Sequence, residues 1–384
     1  MEKKRMKSGE AQESDKPMRS GFTTGACATA VAKGATQLLL TGHIPAQAVV
    51  SLPAGFDHSF ELIEQELMRD GTATCATIKD AGDDPDATHL AKIIAHVSWR
   101  DEPGVGLDGG IGVGRVTKPG LPVPVGEAAI NPVPRRMITE AVTQVLAEHG
   151  AARGVQVVIS VPDGEEIAKK TLNARLGILG GISILGTSGV VVPFSTSAYK
   201  ASVVQAISVA QASGCEHIVL TTGGSSEKYA MKMMPELPEE AFIQMGDFVG
   251  FAIKHGKRLG MKRISLVGMP GKFAKVAQGV MMVHSKSAPV DFGFLASVAR
   301  ETGAGDELAQ AIEEANTATQ VADMMTEAGY LPYFEKLCLY ACQHCLEHAG
   351  GGVTVEVVLV TMKGMELGRA EISELEHNNW SKES

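Results

Sequence analysis

Apolar side chains recur at every second position, or nearly so, in four runs of the first part of the chain. Gln47–Leu52, Ser59–Gln65, Ala73–Ile78 and Lys92–Trp99 therefore predict strands with one buried face. Ahead of them, SGFTTGACATAVAKGATQLLLTG (20–42) switches to helical spacing; Thr23 or Thr24 caps the helix and small residues fill its first turns. Behind them, Val113–Ile138 is broken by Pro119, Pro122, Pro124, Pro132 and Pro134, which remove amide donors and fix φ. Its Val, Leu, Ile and Ala side chains still give it material to pack. It reads as a rigid, largely extended loop that launches a helix, with Asn131 before the first turn, Pro134 within it and Gly150 at the far end.

The pattern then changes. Val155–Val161 is strand-like, Pro162–Ile178 begins as a helix, Ile182–Leu185 is a further strand, and Ser195 or Thr196 opens a helix reaching about Ser213. From there strands and helices alternate. His217–Thr222 and Arg263–Gly268 read as strands, Pro238–Leu259 and Lys272–Val283 as helices. Two or three more helices fit Asp291–His348, and Val353–Met362 supplies a last strand. Such alternation predicts a parallel sheet. The expected class is α/β: a disordered tail over 1–17, an α+β domain over 18–192 carrying the Pro/Gly-rich loop, and a Rossmann-like domain over 193–384.

Bulk properties narrow the partners. A hydrophobic share of 44% gives ample core, and a net charge of −9 argues against nucleic acid. Six cysteines without paired spacing indicate reduced thiols and a cytoplasmic protein. The opening MEKKRMKSGEAQESDKPMRS has no apolar stretch, so it is no signal peptide. Leu176–Phe194 is uncharged, but its glycines and Pro193 make it a poor membrane span, so no membrane partner is expected. The sequence is compatible with a homo-oligomer and does not define one.

Several stretches carry candidate chemistry. Arg135 and Arg136 stand in a first helical turn, where the dipole disfavours cations. Either they are solvated, or an anion is held there by free amides and both guanidinium groups. Around Gly25 the small residues suit either close packing or a ligand. KDAGDDPDATH (79–89) gathers Asp80, Asp83, Asp84 and Asp86 without EF-hand spacing; it is an Asx-rich turn or a carboxylate cluster for a cation or charged ligand group. Gly110, Gly112 and Gly114 lack the spacing of a dinucleotide fingerprint. Ligands of parallel sheets bind at strand carboxyl ends. There TTGGSSEKY (221–229) and GMPGK (268–272) offer glycine amides, though the second is no Walker loop. His284 and Ser285 follow at the end of the predicted helix. Cys338, Cys342 and Cys345 fall at i, i+4 and i+7 of a helix, a core stripe or, alternatively, a cluster ligand set.

Taken together, SGFTTGACATA, KDAGDDPDATH, VTKPGLPVPVGEAAINPVPRRMI, GGISILGTSGVV and GMPGKFAKVAQGVMMVHSK resemble the cobalt-precorrin-5B (C(1))-methyltransferase family of anaerobic cobalamin biosynthesis. They run in family order from Ser20 to Lys286, and the last third matches only loosely. Thr221-Thr222-Gly223-Gly224 stands where the family tends to have T-P-G-N, and Val283 where it tends to have Thr. The resemblance implies a two-domain α/β enzyme that methylates C-1 of cobalt-precorrin-5B to give cobalt-precorrin-6A. S-adenosyl-L-methionine is the implied donor, a cobalt tetrapyrrole the acceptor, and no protein-bound metal is expected. The acceptor's carboxylates call for cations: Lys118, Arg135, Arg136, Lys272 and Lys275, with Arg115 and Lys286 nearby. Thr23, Thr24, Gly25, Asp80, Thr222, Gly223, Gly268 and Gly271 are the expected donor contacts, and Asp83 and His284 the candidates for a general base or ligand orienter. Two other readings of the chain are a nicotinamide-dependent oxidoreductase and a non-catalytic corrinoid-binding protein with His284 on cobalt.

Overall fold

The computed structural model describes residues 17–43, 45–284 and 286–373, so residues 1–16 of the tail expected over 1–17 lie outside the described residues, as does Ser285. The chain forms two compact units. Among the described residues, one holds those from 17 to 114 together with 128–171 and 180–195; the other holds 115–127, 172–179 and 196–373.

In the first unit, helix α1 (Thr24–Thr41) precedes a hairpin of β1 (Gln47–Leu52) and β2 (Phe56–Glu61). Then come β3 (Ile63–Leu67), β4 (Ala73–Ile78), β5 (Lys92–Arg100), β6 (Val105–Gly109), helix α2 (Pro132–Glu148) and β7 (Gly154–Ser160). The run expected as one strand over Ser59–Gln65 is two, parted at Leu62, with Glu64 at φ 50°. Their sheet has the order β3-β4-β5-β7-β6, antiparallel except for the β7–β6 pair. Strand β5 alternates as its sequence demands, Ile93, Ala95 and Val97 being fully buried against α1. Helix α1 is alanine-rich because it is enclosed: a Cβ on Gly25 would stand 2.6 Å from Pro134 of α2, and one on Gly34 2.3 Å from Leu62.

The second unit opens with α3 (Thr196–Ala212), β8 (His217–Thr221) and α4 (Gly224–Met233). Next stand β9 (Phe242–Gln244), α5 (Val249–Arg258), β10 (Arg263–Gly268) and α6 (Pro270–Ala277). Four helices follow, α7 (Phe292–Glu301), α8 (Asp306–Glu313), α9 (Ala318–Glu327) and α10 (Leu331–Ala349), then β11 (Thr354–Val360) and β12 (Glu366–Ile372). The sheet order is β9-β8-β10-β11-β12, parallel but for β12. One face carries Ile218, Leu220, Ile264, Leu266, Val355 and Val357 against α3, α5, α6 and α10; the other carries Val219, Phe242, Val267 and Val358 against Ala230 of α4 and Met234 at its C-cap.

Three expectations need correction here. The helix expected over Pro238–Leu259 is a single 3-10 turn, then β9, then α5: Phe242 and Ile243 pair with β8, and Gly246 (φ 61°) breaks the chain before α5 starts. The strand-end stretch Thr221–Tyr229 runs into helix α4, whose Glu227 in the first turn and Lys232 in the last suit the helix dipole. The helix expected to reach Val283 stops at Ala277, followed by Gly279 at φ 82°.

Candidate functional site

At the head of α1, Thr23 accepts the Ala26 amide on its hydroxyl (3.2 Å), as a cap should. The Gly25 amide donates to the Leu185 carbonyl (3.0 Å) and the Cys27 amide to that of Thr23 (3.1 Å). The Thr24 hydroxyl accepts the Leu185 amide (2.9 Å). Of the two readings of this end, the amides favour packing: those of Gly25, Ala26 and Cys27 are spent within the protein, and Thr24 is 2% exposed.

The aspartate loop does gather around cations, and they belong to the chain. Arg19 forms a two-pronged pair with Asp80, one arm at 2.9 Å, and its backbone amide donates to Asp83 (2.6 Å). Asp84 accepts the Phe194 amide (2.9 Å). Asp86 pairs with the buried Lys79 at 2.7 Å and accepts both the amide and the hydroxyl of Thr88. Burial pushes the Asp86 carboxyl up, yet Lys79 and Thr88 outweigh it and leave it below its usual range. Neither Arg19 nor Lys79 was singled out from the sequence as a partner of these carboxylates.

The Arg19 hydrogen bond holds the Asp80 carboxyl down at about 2, with help from the Gly82 amide. A depressed carboxylate lends its support above its unfolded pKa of about 3.9 and loses it as the pH falls toward 2. In Arg19→Ala, a carboxyl-carbon NMR titration should therefore place Asp80 at least roughly one pH unit higher. A value still near 2 would show that the loop's own amides, not Arg19, hold the charge.

At the head of α2, Asn131 occupies the cap position without a side-chain cap bond. Pro132 and Pro134 have no amide to offer and the Arg135 amide donates to the Asn131 carbonyl (2.9 Å), which leaves Val133 as the one further donor of that turn. The free amides that the anion reading calls for are thus not supplied by this turn, and an anion there would rest on the guanidinium groups. Arg136 is largely exposed, with Glu140 3.9 Å away.

In the second unit the connection after β8 leads to β9 at one edge, and that after β10 leads toward β11 and the other edge. Neighbouring strands whose connections part in this way leave a crevice at their carboxyl ends. Thr222 and Gly223 follow β8, and Met269–Lys272 follows β10. A Cβ on Gly223 or on Gly271 would meet nothing within 4 Å, whereas one on Gly268 would stand 2.0 Å from Phe273. Gly223 and Gly271 therefore border open space, and Gly268 is a packing glycine.

The cations of this unit are more committed than expected. Lys118 pairs with Glu240, which its hydrogen bond holds below the usual carboxylate range, and Lys272 lies 2.9 Å from Asp247. Lys275 is 6% exposed and donates to the His284 carbonyl (3.1 Å). His284 is exposed in the loop beyond α6, not on a helix, and its Nδ1 accepts the Lys286 amide (3.2 Å). Glu227, Asp247 and Arg175 escaped the sequence reading. Arg175 pairs with the buried Glu227 (2.7 Å), which also accepts from Gln244 (2.8 Å).

Cys338, Cys342 and Cys345 line the buried face of α10. The first two thiols donate to the carbonyls of Gly368 (3.4 Å) and Ala370 (3.3 Å) on β12, and burial pushes Cys338 up to about 12. They are core donors. Among the described residues no three His, Cys, Asp or Glu side chains gather in a way that could hold a metal ion, and no helix is long and apolar enough to cross a membrane.

Comparison with known proteins now adds to this geometry. Residues 11–193 match the family model CbiD, and 282–371 the model CbiD, C-terminal domain. The chain is 62% identical to a cobalt-precorrin-5B C(1)-methyltransferase of Priestia megaterium over 96% of its own length and 100% of the relative's. It is 46% identical to one of Rubrobacter xylanophilus, over 94% of each chain. A crystal structure of the cobalamin biosynthesis protein cbiD from Archaeoglobus fulgidus aligns at 33% identity with a TM-score of 0.38, covering 66% of this chain and 78% of that one.

Proposed function

The chain belongs to the CbiD family, and from that premise we propose where its two substrates are held. Its reaction is the methylation of C-1 of cobalt-precorrin-5B, a step of cobalamin biosynthesis. The donor in this reading is S-adenosyl-L-methionine. Its methyl–sulfur bond breaks with the electron pair left on sulfur, while the acceptor carbon supplies the pair for the new bond. Alignment and exclusion of water are what the protein must add, since the leaving group comes with the donor.

We place the donor at the carboxyl ends of β8 and β10, against Thr222, Gly223 and Gly271. The supporting observation is the open space over those two glycines at the point where the sheet's connections part. Thr23, Thr24, Gly25 and Asp80 then hold the framework of the first unit, and Gly268 lets Phe273 pack. For the acceptor's carboxylates we favour Arg136, whose side chain is 62% exposed against 41% for Lys272 and 30% for Lys118, with Arg135 beside it in the same turn. In this reading Asp83 and His284 act as orienting groups through the hydrogen bonds they accept from the Arg19 and Lys286 amides.

The direct test is incubation with cobalt-precorrin-5B and S-adenosylmethionine carrying a labelled methyl group. Mass spectrometry should show one labelled methyl group on the macrocycle; binding without mass gain would favour a corrinoid-binding protein instead. In Arg135→Ala/Arg136→Ala, loss of two charge-assisted contacts should weaken macrocycle binding by roughly 10- to 100-fold with the unfolding curve unchanged. Affinity within threefold of the parent would remove the pair from the acceptor site.

A further inference from the structure

We propose that Asp247, held by Lys272, is the residue that recognises the ribose diol of the methyl donor. The proposal rests on the placement of the donor at the ends of β8 and β10. Strand β9 ends at Gln244, the Met245 amide extends its pairing to the Thr221 carbonyl (2.8 Å), and Gly246 at φ 61° turns the chain into Asp247. The Asp247 carbonyl accepts the Val283 amide (3.0 Å), which fixes the residue's backbone. Lys272 stands in the first turn of α6, next to Gly271 with its open face. Strand β8 lies between β9 and β10 in the sheet, so the Asp247–Lys272 pair joins the loops that follow the two strands flanking β8.

The chemistry of the pair selects its ligand. Oδ1 of Asp247 is sealed from solvent and lacks a hydrogen bond of proper angle, so Lys272 Nζ at 2.9 Å holds it by charge. The side chain as a whole remains 24% exposed. With its charge balanced, the carboxylate has little pull on a sulfonium or an ammonium, and Lys272 would repel both. A pair of hydroxyl groups suits it better, since a neutral diol can donate to the carboxylate and accept from the ammonium group. Glu227, the other acid at this end of the sheet, is less accessible, being 6% exposed and engaged by Arg175 and Gln244.

Calorimetry with S-adenosylhomocysteine and its 2′-deoxy and 3′-deoxy analogues tests this. The wild-type protein should lose roughly 10-fold or more in affinity for at least one deoxy analogue. Asp247→Asn should bind S-adenosylhomocysteine about as weakly and no longer separate the three. Equal binding of all three by the wild-type protein, or full discrimination retained in Asp247→Asn, overturns the proposal; the first of these needs no variant and cannot be confused with misfolding. Failure of the underlying placement looks different: S-adenosylhomocysteine would bind, yet hydrogen exchange would show no protection over residues 222–226 and 269–272.

Discussion

Lys79→Met should destabilise the first unit by about 3 kcal/mol at neutral pH, the low end of what breaking a buried ion pair costs. Lys79 is 1% exposed and its ammonium lies 2.7 Å from Asp86, whose side chain retains 23% exposure. Removing the cation leaves Asp86 with the two donors of Thr88 and no counter-charge, in surroundings where burial already pushes its carboxyl up. The pH dependence identifies the cause. In the wild type the folded Asp86 pKa is lowered, so its contribution is present above about 3.9 and fades as the pH falls through the folded value. Without Lys79 the folded pKa moves above the unfolded one, and acidification then favours the folded variant. The stability gap, read from urea unfolding, should be widest at pH 7 and narrow below about pH 4. In the double variant Lys79→Met/Asp86→Leu much of the loss should return, because both charges are gone. A gap below about 1 kcal/mol at pH 7, or one that does not vary with pH, would mean that the pair does not lock the loop.

That lock shows where the sequence was legible and where it was not. Strands with one solvent face announce themselves, as β1 and β5 do by strict alternation, because the burial pattern is local. The same holds for the strand-end glycines after β8 and β10. Strand β9 was hidden, since Glu239, Glu240 and Ala241 favour a helix and only pairing with β8 turns the next three residues into a strand. The acidic loop was legible as a cluster, but its charge balance depends on Arg19, 61 positions before Asp80. Asp247 gave no local signal either, because its partner Lys272 lies beyond a whole helix and strand. The run FIQMGD, an apolar pair turning into Gly-Asp, was the one available hint. At the head of α2 the prolines were visible throughout; their consequence, a helix start short of amides, appears only once Asn131 is fixed as the cap.

Gly223→Val should abolish donor binding by roughly 100-fold or more, about 2.7 kcal/mol, while leaving stability within about 0.5 kcal/mol of the parent. Gly223 caps α4 with extended backbone (φ 163°, ψ 178°), a conformation that any residue adopts, so the substitution strains nothing. Its Cβ would meet no atom within 4 Å, so the fold has no reason to resist the side chain. Only a ligand that uses the space would notice it. Gly268→Ala supplies the contrast, since its Cβ would stand 2.0 Å from the ring of Phe273, and it should lower stability. Its donor affinity, measured well below the melting temperature, should fall far less. Gly223 follows β8 and Gly268 ends the neighbouring β10, so opposite outcomes separate a ligand cradle from close packing. Donor affinity within threefold of the parent in a folded Gly223→Val would move the donor away from the carboxyl end of β8, and Gly271→Leu would then show whether the end of β10 alone still contacts it.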